Sequence, residues 1–143
     1  MKNLLVVLSI YLALSAGGAY AHIRILPAES GLGAKQVYTV RVPTEGKVAT
    51  SVVILEIPDG VTVISAPGAA IGREAGKGVS ITWTAEIPPG QSQTFAFEAT
   101  NPPLGQQIVW KAHQRYANGT SRDWVEAPAS KSPAPVTKLM GTN

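Results

Sequence analysis

Between residues 37 and 125 the sequence breaks into short stretches rich in β-branched and aromatic residues, and the breaks between them carry proline, glycine or asparagine. Few folds accept that pattern. In the stretch 37–42 (VYTVRV), Val37, Thr39 and Arg41 fall on one face and Tyr38, Val40 and Val42 on the other, which is the period of a strand. Stretches 48–57, 61–65, 79–84, 94–99, 106–116 and 121–125 have the same character. Two turns share a design, Ile57-Pro58-Asp59-Gly60 and Ile87-Pro88-Pro89-Gly90, where proline presets φ and glycine accepts a positive one. Asn118-Gly119 is the strongest hairpin signal in the chain and joins stretch 106–116 to stretch 121–125. No segment carries a helical period. About seven short strands without a helix predict an all-β, two-sheet sandwich of Greek-key type. Residues 67–78, rich in glycine and alanine, read as a loop or an irregular edge.

The first residues have a different origin. Lys2 precedes an uncharged apolar run over residues 4–16, shorter than the roughly 20 residues a membrane span needs. Small residues follow it, and Ala19-Tyr20-Ala21 fits the pattern a signal peptidase accepts. Residues 1–21 therefore read as a secretory signal peptide, cut between Ala21 and His22. A cut after Ala19 also places small residues correctly and would leave Tyr20 in front. The expected mature chain has the ordinary size of one domain. Residues 22–126 form that domain, and residues 127–143, dominated by proline, alanine, serine, lysine and threonine, read as a flexible tail.

Composition narrows the chemistry. The formal net charge is +3, and one of those charges, Lys2, leaves with the leader. So mild an excess, without a basic cluster, does not indicate nucleic acid. The sequence has no cysteine, which excludes disulfides, thiolate metal sites and cysteine nucleophiles. Of two methionines, Met1 belongs to the leader and Met140 to the tail. Soft sulfur sites for Cu(I) are thus excluded, and a metal must take nitrogen or oxygen ligands. No catalytic motif of the hydrolase, zinc-protease or phosphate-loop kind occurs, and no enzymatic activity is expected.

His22 stands out because of its place. At a free N-terminus a histidine offers two nitrogens to one metal, the α-amine and Nδ1 of its own ring, and together they close a chelate. Imidazole suits copper, zinc and nickel, and a square-planar nitrogen and oxygen site favours Cu(II). One residue in front of His22 would turn the amine into an amide and remove a ligand. The plainer alternative is a solvated terminal residue.

Six segments taken in order carry a resemblance. They are His22-Ile23-Arg24-Ile25-Leu26-Pro27-Ala28-Glu29, Tyr38-Thr39-Val40-Arg41-Val42-Pro43-Thr44-Glu45, Ile57-Pro58-Asp59-Gly60-Val61, Ile81-Thr82-Trp83-Thr84, Pro88-Pro89-Gly90-Gln91 and Asp123-Trp124-Val125-Glu126. This set resembles the YcnI-like (DUF1775) family of exported copper-binding proteins, across the expected mature domain. The resemblance implies an immunoglobulin-like sandwich that binds Cu(II) through a monohistidine brace. It assigns His22 the amine and imidazole nitrogens, Glu45 the carboxylate ligand, and Trp124 a place beside the metal. On residue chemistry alone Glu45 reads as an exposed turn acid beside Gly46, and Trp124 as a core tryptophan. An indole nitrogen has no lone pair to give, so Trp124 would cap the site and not ligate. The chain departs from many relatives in lacking a cysteine pair and a C-terminal membrane helix.

The expected function is copper delivery or homeostasis outside the cytoplasm, periplasmic or extracellular, with no membrane anchor after cleavage. Expected partners are the copper ion and another copper-handling or membrane transport protein. A copper mono-oxygenase would need a second histidine, and His113 alone is available, in a stretch expected to run mid-sheet as a satisfied strand histidine. A sandwich that binds partners without metal, of the adhesion type, is the other alternative.

Overall fold

The computed structural model describes residues 22–141, so residues 1–21, the expected leader with Ala21 at its cut site, lie outside it. Twelve strands follow one another: β1 (Arg24–Leu26), β2 (Glu29–Gly31), β3 (Lys35–Pro43), β4 (Thr50–Ile57), β5 (Thr62–Ser65), β6 (Ala70–Glu74), β7 (Gly78–Ile87), β8 (Ser92–Thr100), β9 (Gln107–Val109), β10 (Lys111–Tyr116), β11 (Ser121–Trp124) and β12 (Val136–Met140). No helix occurs among the described residues.

Four strands form one sheet in the order β1-β3-β8-β5, and five form another in the order β11-β10-β4-β7-β6. The chain passes from one sheet to the other between β3 and β4, β4 and β5, β5 and β6, and β7 and β8, so each sheet is assembled from distant segments, as a Greek key requires. The inward phase of each alternation fills one core. Tyr38, Val40 and Val42 of β3 and Phe97 and Ala99 of β8 cluster with Val53 and Leu55 of β4, Ile81 and Trp83 of β7, and Trp110. The expected all-β sandwich is the fold observed.

Turn chemistry acts where the sequence places it. Val61 donates its N–H to Pro58 and Gln91 donates to Pro88, and Gly60 and Gly90 take the positive φ that closes these turns. The stretch 106–116 is one run in sequence but two strands in space. It breaks at Trp110, whose N–H donates to the Pro135 carbonyl; β9 belongs to a third, small sheet and β10 to the five-stranded one. Residues 67–78 include β6, the outermost strand of that five-stranded sheet.

The flexible tail expected over residues 127–143 is corrected by the structure. Glu126 bridges to Pro133, and β12 pairs in parallel with β2 and antiparallel with β9. Thr137 and Leu139 point inward, and Ala134 is buried as well. The indole N–H of Trp110 donates to Thr137 Oγ1 at 3.0 Å. The averaged composition of this segment is polar and proline-rich, yet its inward positions alone decide whether a strand can pack. The structural unit thus extends past residue 126 to the end of β12.

Candidate metal centre

The site is built on the ends of β1, β3 and β11. Arg24 pairs with Arg41 and Ile25 with Val40; continuing that register two residues further sets His22 level with Pro43, just before the turn that carries Glu45. His22 is exposed, whereas Ile23 beside it is buried and anchors the start of the chain in the core. The His22 ring lies against Trp124, with centroids 5.5 Å apart and planes tilted by 59°.

The turn carrying Glu45 is fixed from beneath by Thr44. Thr44 is buried; its Oγ1 donates to the Ile87 carbonyl at 2.9 Å and meets Thr50 Oγ1 at 2.7 Å. Its N–H donates to Gln91, and its carbonyl accepts from Gly90. Glu45 itself reaches outward, and its Oε2 lies 3.6 Å from Nη1 of Arg122. The Arg122 guanidinium carbon in turn stands 4.6 Å from the centre of the Trp124 ring. The structure therefore links His22 to Trp124, Trp124 to Arg122, and Arg122 to Glu45. Tyr116 is electrostatically coupled to the same ion pair: burial pushes its hydroxyl above the usual range, Arg122 draws it down, and Glu45 pushes it up.

Trp124 is only 1% exposed, and its indole N–H donates to Gln114 Oε1 at 3.1 Å. It is thus a core tryptophan that also floors the site, which joins the two readings the sequence left open. Its N–H points into the protein and is committed, so the indole nitrogen cannot serve a metal. Gln114 completes the floor by donating Nε2 to the Pro43 carbonyl at 2.9 Å and to Thr50 Oγ1 at 2.7 Å.

Arg122, Gln114, Thr44 and Thr50 escape a reading of the sequence. A signal existed for Gln114, since it occupies the inward phase of a strand, where a polar side chain must be hydrogen-bonded. Arg122 carries no such signal; its place depends on how β11 registers against β10.

His113 lies elsewhere. In the hairpin, Ala112 pairs with Trp124 and His113 with Asp123, so the histidine sits on the opposite face of the sheet from Trp124. Its Nδ1 is 2.6 Å from Asp123 Oδ1 and its Nε2 is 2.8 Å from Glu56 Oε2. Ionised carboxylates only accept, so both ring nitrogens donate, which describes an imidazolium. Burial works against that charge, but the hydrogen bonds and charges of Asp123 and Glu56 outweigh it and raise the pKa above the usual histidine value.

Among the described residues no three histidine, cysteine or acidic side chains converge as a ready metal cage. The donors present at the site are one imidazole and one carboxylate. That set suits a borderline metal such as copper or zinc.

Comparison with known proteins places the chain. A family profile described as "Domain of unknown function (DUF1775)" matches residues 70–139, a span that contains Trp124 and most of β12. Over that span the chain resembles the DUF1775 family. Its sequence is 33% identical over 129 residues to the copper-binding protein CutI of Bacillus subtilis, covering 85% of this chain. The chain spans 63% of that relative's length. An uncharacterized protein from Nocardia farcinica, described as having an immunoglobulin-like fold, is 29% identical, with a TM-score of 0.70 over 83% of this chain and 98% of its own. A non-cellulosomal cohesin from Archaeoglobus fulgidus shares the fold alone, with a TM-score of 0.51 at 11% identity over 83% of this chain and 90% of its own.

Proposed function

We propose that this protein is a DUF1775-type protein that binds Cu(II) outside the cytoplasm, periplasmic or extracellular, after a leader is cut between Ala21 and His22. In this reading it holds the ion for delivery or homeostasis and catalyses no reaction. The amine and Nδ1 of His22 form the chelate, and the Glu45 carboxylate supplies oxygen and offsets the charge of the ion. Trp124 covers one side and limits solvent.

The observation that supports this best is the chain of contacts from His22 through Trp124 and Arg122 to Glu45. Residues far apart in sequence, an imidazole and a carboxylate among them, are joined in one run of contacts that includes a buried indole. The likeness to a copper-binding protein agrees with that donor set. Delivery fits an exposed site with few ligands, open to a copper-handling or membrane transport partner. A two-histidine oxidase site has no support, because His113 faces away and both of its nitrogens are engaged.

Protein beginning at His22 is to be compared with protein carrying one extra N-terminal residue, by Cu(II) titration and EPR. The extension is expected to weaken binding by at least on the order of 10–100-fold, the scale of losses seen when a metal site is disturbed, and to change the spectrum. Equal affinity and identical spectra would sink the brace. If neither protein retained copper at micromolar concentration, a metal-free binding module would be the better reading.

A further inference from the structure

We infer that Arg122 is a resident counter-ion which Cu(II) must displace from Glu45, and that it thereby sets how firmly the site grips its cargo. The inference rests on the proposed Cu(II) site at His22 and Glu45. Among the described residues the Glu45 carboxylate has Arg122 as its ion-pair partner, at 3.6 Å, and both side chains are substantially exposed at 36% and 51%. A pair of that length and exposure is weak and easily exchanged.

The guanidinium does not depend on Glu45 for its position. It lies over the Trp124 ring at 4.6 Å, its Nε donates to Ser132 Oγ at 3.0 Å, and its Nη2 donates to the Lys131 carbonyl at 3.1 Å. Ser132 is itself buried. The cation is therefore clamped between an indole and the segment leading to β12, while the carboxylate is the looser member. An ion that claims Glu45 takes it from a positive charge that stays behind.

That charge works against a divalent cation. A +2 and a +1 charge on the order of 6 Å apart repel by enough to change affinity roughly tenfold, even at the dielectric constant of water. The same repulsion favours release, because Arg122 stands ready to receive the carboxylate as the metal leaves. Arg122 is in this sense a positioning residue for Glu45 in the empty site and a competitor in the filled one.

The test uses protein beginning at His22, titrated with Cu(II) against a chromophoric chelator, with release timed by stopped flow. Arg122→Gln is expected to bind roughly tenfold more tightly and release more slowly, whereas Arg122→Lys keeps the charge and stays near wild type. Ser132→Ala disturbs the fold less; it frees the guanidinium to retreat and should shift affinity in the same direction by a smaller factor. If Arg122→Gln does not fold, Ser132→Ala decides. Affinity that is unchanged or weaker in both Arg122→Gln and Ser132→Ala overturns the inference while leaving the copper site intact. A wild-type protein that holds no Cu(II) overturns both.

Discussion

His113 and Gln114 are neighbours in β10 and face opposite ways, one into solvent-accessible charge and the other into the core. The pKa of His113 is raised, so its charged form stabilises the fold fully at pH below the unfolded value of about 6.5, and that contribution is lost as pH rises through the raised folded value. Wild type should therefore lead His113→Gln in urea stability at mildly acid pH, and the gap should shrink as the solution turns alkaline. A gap that is constant with pH would show that the ring matters only by packing. Gln114 makes a different kind of contribution. Gln114→Leu keeps the volume but leaves the Trp124 indole N–H and the Pro43 carbonyl without their partner. A cost of about 1–3 kcal/mol is expected for each group left unpaired, read as a lower urea midpoint. Of the candidate site's residues, His22 stood out in the sequence because its proposed chemistry depends on chain position alone, and Glu45 and Trp124 were named through resemblance. Arg122 was not legible, because no local pattern states what lies across a strand.

At the scale of elements, the β10–β11 hairpin shows how little separates two outcomes. Tyr116 donates its N–H to Thr120, and Gly119 donates to Tyr116, so the loop spans three residues, with Gly119 at positive φ. A two-residue Asn118-Gly119 turn would shift the pairing by one and set Trp124 opposite His113 instead of Ala112. The dipeptide announces a hairpin, but the length of its loop decides which side chains meet. β12 offers a second case of an element hidden from sequence. Ending the chain after Ala134 removes the Thr137 acceptor of Trp110 and the buried Leu139. The expected loss is on the order of 3–6 kcal/mol, a large share of the stability of a typical domain. Calorimetry of the shortened protein should show a strongly lowered melting temperature or no transition. A dispensable tail would leave the melting curve unchanged.

For the molecule as a whole, the alternation of apolar residues foretold an all-β sandwich because period 2 is a local property of the chain. Which strands are neighbours is not local, and neither is the third sheet, in which β2, β9 and β12 come from three distant segments. The expectation of about seven strands missed β1, β2, β6 and β12, which are short or poor in β-branched residues, and β9 was hidden inside a longer run. Sequence pattern measures how a segment would pack if something lay against it; only the assembled fold supplies that something. The two faces of β11 carry this furthest. Arg122 and Trp124 look toward the candidate metal centre, and Asp123 between them looks toward His113. Descent with modification can therefore retune one surface through the even-numbered positions of this strand and the other through the odd, each trait drifting or being selected without dragging its neighbour along.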